Sequence, residues 1–205
     1  MLQTNHMPCE LAEIVFEKPL SGEFEEVLFG SDRGNTLWVK FSDKDGSNEW
    51  IGKFGVGSFG PERVIKVAEP DSFFISAGGF VYLFDATKRE VVYQYHNPVA
   101  CDIIYDPKRQ LLIVADYTQL HWIDFGNKVL FSKQVALDGI RDLKINGHIL
   151  TGLAVENYEG HEKRFSFDLD ALKILRWENV SGKKRWGSSG NLKATPTQSS
   201  PAACW

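Results

Sequence analysis

A cassette of four short apolar segments separated by turn residues recurs along this chain, and no other feature constrains its fold as much. The clearest copy is ACDIIYDPKRQLLIVADYTQLHWIDFGNKVLFSKQ, from Ala100 to Gln134. Residues 101–105 are mostly apolar, and Asp106-Pro107 then turns the chain, because proline fixes φ and aspartate bonds nearby backbone. Residues 111–115 form an apolar run too short for a helix, which predicts a strand buried on both faces. Beyond residues 116–118, the segment 120–125 alternates apolar and polar side chains, Gly126-Asn127 makes a turn, and residues 129–134 give a fourth strand.

Residues 63–95 repeat this order closely, with Glu69-Pro70-Asp71 as first turn and Ala77-Gly78-Gly79 as second. Residues 13–54 and 140–177 follow it with longer insertions. Ser42, Asp85, Asp124 and Asp168 close the third strand of each unit, at intervals of roughly 40 residues. Four strands per period predict an all-β fold of four four-stranded antiparallel meanders. The segment SFFISAGGFVYLFDATKREVVYQY resembles a blade of the broad β-propeller superfamily, which includes quinoprotein-like and tryptophan-aspartate repeat domains. The resemblance implies the fold and transfers no functional residue.

The expected organisation is a leader over residues 1–11, a repeat domain over 12–178 (units 12–55, 62–95, 100–134 and 140–178), and a disordered or loosely docked tail over 179–205. Sheets that are apolar on both faces have to lean on neighbours. The expectation is therefore a closed four-bladed ring, or half of a larger ring completed by a homodimer.

No apolar run approaches the length of a membrane span, and the N-terminal residues lack the basic-then-apolar pattern of a secretory signal. Three cysteines, Cys9, Cys101 and Cys204, are an odd number without metal-ligand spacing, which points to a reducing, cytoplasmic setting. The net charge of −4 is uneven, because Arg176, Lys183, Lys184, Arg185 and Lys193 face only Glu178 near the C-terminus. The body is correspondingly acidic, which argues against nucleic acid as its partner. Lys183-Lys184-Arg185-Trp186 is read as a solubilising tail cluster.

Gly55-Val56-Gly57-Ser58-Phe59-Gly60 matches the dinucleotide fingerprint, but Pro61 and a strand-like run follow where a helix N-terminus would have to hold the pyrophosphate. It reads as a connection between units. Asp124-Phe125-Gly126 matches a kinase tripeptide with no catalytic loop before it. No histidine pair has metal spacing, no nucleophile elbow is present, and no cofactor is expected.

In a meander of this kind, loops joining second to third strands and loops joining successive units open on one face. That face gathers the candidate binding residues Asp32, Arg33, His96, Asp116, Tyr117, Glu156, Tyr158 and His161. Acidic and aromatic loop residues suit a polar or cationic partner. The expected function is a non-catalytic binding module for a protein, such as a basic partner of the toxin type, or for a small polar ligand. The alternative is a hydrolase- or lyase-type enzyme using carboxylates and His161.

Overall fold

The computed structural model describes residues 11–20, 22–30, 34–67, 71–95, 100–156 and 161–180. Among them there is no helix, hence none that could cross a membrane. Among the described residues sixteen strands form four four-stranded sheets. The first holds β1 (Leu11–Val15), β2 (Glu25–Phe29), β3 (Thr36–Ser42) and β4 (Trp50–Gly55). The second holds β5 (Arg63–Lys66), β6 (Ser72–Ala77), β7 (Phe80–Asp85) and β8 (Glu90–Tyr95). The third comprises β9 (Asp102–Asp106), β10 (Leu111–Ala115), β11 (Gln119–Ile123) and β12 (Val129–Gln134). The fourth comprises β13 (Ile140–Asn146), β14 (Ile149–Val155), β15 (Glu162–Asp168) and β16 (Lys173–Asn179).

The second, third and fourth sheets are antiparallel meanders in chain order. Their third strands close as the spacing of aspartates predicts. Asp85 Oδ1 accepts from Lys88 N (2.9 Å), Asp124 Oδ1 from Lys128 N (2.8 Å), and Asp168 Oδ1 from Asp170 N and Ala171 N (2.9 Å each). In the first sheet the matching residue, Ser42, hands this task to Asp43, which accepts from Ser47 Oγ and Asn48 Nδ2.

The first sheet departs from the expected meander. Its order is β1-β3-β4-β2, and β2 runs parallel to β4 in the register Glu25↔Trp50 to Phe29↔Phe54. Two strands that point the same way cannot be joined by a hairpin. The connection instead crosses the outward face of the sheet, spanning three strand spacings of about 4.8 Å each. Phe16, Pro19 and Phe24 of this strap line a cleft with Ile51, which is buried although its side chain faces outward.

Apolar cores join the sheets in series. Phe29, Phe41, Trp50 and Phe54 of the first sheet pack on Phe73, Tyr82 and Phe84 of the second. Phe41 stacks on Trp50 at 4.4 Å and Phe54 meets Phe84 edge-on at 5.2 Å. Burial of each such ring is worth about 2 kcal/mol. A second core joins Phe74, Val81 and Leu83 to Ile103, Leu112 and Val114, and a third joins Ile113, Leu120 and Trp122 to Leu150, Phe165 and Phe167. The innermost strands touch in turn, β1 against β5 and β9 against β13. Among the described residues no comparable contact joins β13 to β1, and no fourth core joins the last sheet to the first.

Polar groups lock adjacent sheets where apolar contact gives no register. Asp102, 2% exposed, sits at the start of β9 and reaches both neighbours. Its Oδ1 takes Arg63 of the second sheet at 2.6 Å and its own neighbour Ile103 N at 2.8 Å, while Oδ2 accepts from Leu143 N of the fourth at 2.9 Å. Leu143 N is available because a register shift between Arg141 and Lys144, with Asp142 at φ 57°, lifts that amide out of the β14 ladder. On the opposite side of the arc Arg109 bridges the buried Asp106 (2.6 Å) and Asp170 of the fourth sheet.

Removing Arg109 by R109A is expected to destabilise the fold by about 2 kcal/mol near neutral pH, chiefly by stripping a charged partner from buried Asp106. The hydrogen bond from Arg109 holds the Asp170 carboxyl below its ordinary range. A depressed native value stabilises above the unfolded value and is lost as pH falls. The gap between wild type and R109A in urea melts should therefore narrow as pH falls from 7 towards 3. A constant gap would show that Asp170 takes no part.

Candidate functional site

Backbone hydrogen bonds knit the loops on one side of the arc into a continuous surface. Gly57 N donates to Ala77 O (3.0 Å), Phe59 N to Gly78 O (3.1 Å) and Ala100 N to Gly79 O (3.1 Å). Further along, Cys101 N donates to Ala115 O (2.7 Å), Val135 N to Thr118 O (2.9 Å), Gly139 N to Tyr117 O (2.5 Å) and Leu137 N to Val155 O (2.9 Å). Each turn between second and third strands is thus clasped by a connection between sheets, and the two loop classes share a face as the meander predicts.

The glycine run makes this clasping sterically feasible. A Cβ on Gly57 would stand 2.3 Å from Gly78 O, and one on Gly60 would stand 2.2 Å from Ala100 O. Backbone lies against backbone, as at a junction between units. The next element is the strand β5, so the fingerprint has no helix to serve it.

Clasped loops can hold large apolar side chains in water. Phe59 is 66% exposed, Leu137 51% and Tyr117 41%, and the exposed acids Asp138 and Glu156 flank the last two. Tyr117 owes its position to Asp116. That carboxylate does not face solvent: it is 5% exposed, and its Oδ1 accepts from Thr118 N (2.5 Å) and Gln119 N (2.6 Å). Its Oδ2 meets His121 Nε2 at 2.6 Å, and His121 Nδ1 meets Ser132 Oγ at 2.8 Å across the β11–β12 pair.

The row Ser132, His121, Asp116 has the polarity of a nucleophile relay. With Asp116 also holding two turn amides, the row acts as a brace. Burial, reinforced by the charge of Asp116, pushes the Cys101 thiol up to about 11 and the Tyr95 phenol up to about 12, so both stay protonated beside this brace. Among the described residues no group of three histidines, cysteines or acids is placed to hold a metal.

Of the residues expected from sequence, the structure brings Asp116, Tyr117, Glu156 and His161 to this face. Glu156 N donates to His161 O at 2.8 Å, closing the base of their loop, and the Glu156 carboxylate pairs with Lys163 at 2.5 Å. Asp32, Arg33, His96 and Tyr158 lie outside the described residues. Phe59 and Leu137 did not stand out from sequence. The available signal was a large apolar side chain isolated among glycines in one case and beside Asp138-Gly139 in the other.

No protein-family model matches the chain, and no curated protein does. Solved structures do. Hydrazine synthase of Kuenenia stuttgartiensis superposes with TM-score 0.56 at 15% identity, over 88% of this chain and 53% of that one. Apo AztD of Citrobacter koseri superposes with TM-score 0.52 at 15% identity, over 78% and 47%. The four sheets are β-propeller blades. The Neurospora crassa Pan2 WD40 domain also matches, at TM-score 0.49 and 13% identity, over 73% of this chain and 50% of that one. The chain spans about half the length of each of these structures. At such identities the likeness is one of propeller fold alone.

Proposed function

We propose that this propeller arc is a non-catalytic binding module whose loop-bearing face captures a protein of basic character. The observation that carries the reading is the set of exposed apolar tips, Phe59, Tyr117 and Leu137, held on backbone-clasped loops. Rigid aromatic and aliphatic anchors lose little conformational entropy on binding and supply most of the energy of protein interfaces. The acids Asp138 and Glu156 beside them, on an acidic body, speed encounter with a cationic surface. The odd count of three cysteines fits a reducing, cytoplasmic setting.

The two end blades mix ion pairs with exposed apolar side chains, among them Leu28 at 41% and Leu175 at 48% exposed. The outward face of the first blade carries Lys40 paired with Glu13 (2.9 Å) and Lys53 paired with Glu26 (3.3 Å), with Lys18 and Lys53 over the Trp38 ring. The last blade carries Arg141 clamped on Glu162 through two nitrogens.

The test is affinity capture with immobilised wild type beside F59S/Y117S/L137S, followed by mass spectrometry. Each truncated hot-spot anchor should cost about 2 kcal/mol of binding. Proteins held by wild type should therefore be lost from the triple variant, should be enriched in basic ones, and should elute with salt. Equal capture by both chains would overturn the reading, as would a hydrolytic activity of the purified protein that fails in S132A or D116N.

A further inference from the structure

The groove between the third and fourth blades opens on the same loop-bearing face, as a cleft of about 250 Å³ lined by Leu137, Ala154, Glu156 and Trp177 among others. Two of its walls are large apolar side chains left in water, Leu137 at 51% and Trp177 at 43% exposed. Its rim is acidic. Glu156 has a half-exposed carboxylate, and Asp138 adjoins it because Leu137 N and Asp138 N both point at Val155 O.

The path of the chain brings a complementary segment to this cleft. β15 begins opposite Val155 at the loop-bearing end, and β16 returns to that end, where Asn179 pairs with Lys163, the residue that also holds Glu156. The chain therefore leaves the last blade beside the cleft, two residues after Trp177. Lys183-Lys184-Arg185-Trp186 follows. At about 3.4 Å per extended residue, Lys183 lies within about 14 Å of Asn179 and Trp186 within about 24 Å. Cations and one aromatic ring meet acids, a leucine and an indole, a set that combines charge pairing with cation–π contact.

We propose that residues 183–186 of this chain dock in the cleft between the third and fourth blades, covering Leu137 and Glu156 and competing with partners for the loop-bearing face. The competition, though not the docking, rests on the binding reading above. A segment tethered this closely acts at an effective concentration in the millimolar range, so weak intrinsic affinity suffices. A partner then has to be more basic or more apolar than the tail in order to displace it.

Zero-length carbodiimide cross-linking of the full chain tests the docking without any partner. An equal mixture of isotopically labelled and unlabelled chain is treated, and linked peptides are read by mass spectrometry. The expected result is that Lys183 or Lys184 links to Glu156 or Asp138 within one chain, that these links disappear in D138N/E156Q, and that they fade at high salt. Links spread over Glu13, Glu26 and Asp85 of the first two blades, or none at all, would overturn the proposal. Links only between labelled and unlabelled chains would overturn it too, by making a second copy the occupant. For the competition, K183E/K184E/R185E should capture more partner than wild type. Unchanged capture by that variant would overturn the competition, and absence of capture by any chain would reject the binding reading while leaving the docking standing on its cross-links.

Discussion

Asp102→Ala is expected to lower stability by about 3 kcal/mol, because it strips partners from three groups in three places at once. Leu143 N and Ile103 N would be left as buried donors with no acceptor, and Arg63 would lose the carboxylate it pairs with while remaining free to turn towards water. Asp102→Asn keeps one acceptor oxygen and should lose roughly half as much. Burial works to raise the Asp102 carboxyl above its ordinary value, opposed by the amide of Leu143 and the guanidinium of Arg63. Urea denaturation of the two variants beside R63A separates the contributions. R63A should cost about as much as R109A, because it leaves the buried Asp102 carboxylate without its counter-charge. Should D102A melt with wild type, the clasp between the second, third and fourth blades would have no energetic weight.

Gly60→Ala is expected to be more damaging still, about 4 kcal/mol or outright failure to fold. Two penalties coincide there. The backbone is at φ +119°, where a side chain is strained, and the added methyl would stand 2.2 Å from Ala100 O and 2.7 Å from Gly79 N. Two further variants divide the effect. Gly46 has φ +78° with nothing within 4 Å of its virtual Cβ, so Gly46→Ala measures backbone strain alone, about 1 kcal/mol. Gly57 meets Gly78 O at 2.3 Å, so Gly57→Ala reports chiefly the steric cost. The expected thermal stabilities run G46A, G57A, G60A in falling order. If G60A matched G46A, close apposition of these loops would carry no energetic weight.

Much of the fold was legible because each blade states its strands locally. SFFISA and LLIVA are short, apolar and bounded by Asp, Pro or Gly, and the turn aspartates at 85, 124 and 168 recur because each captures its own backbone. The order of strands in the first blade was not legible. EEVLF looks like any second strand, and its place at the far edge beside β4 depends on a crossing connection that no local pattern announces. The candidate face was half legible. Tyr117 and Glu156 stand where the loop pattern put them, whereas Asp116 turned out to brace its own turn, because aspartate after a strand serves backbone amides before it serves a ligand. The clasp at Asp102 left one sign that went unused: a carboxylate next to four mostly apolar residues in a strand has to meet a donor from elsewhere.

The stitching of the loops by carbonyls and amides also bears on how this scaffold can change. Phe59, Tyr117 and Leu137 contribute their main chains to the stitching while their side chains stay outside it, so tip residues can be exchanged without unpicking the seam. A library randomised at those three positions would keep its framework and vary only its reach, which makes the arc a natural platform for displaying new recognition surfaces.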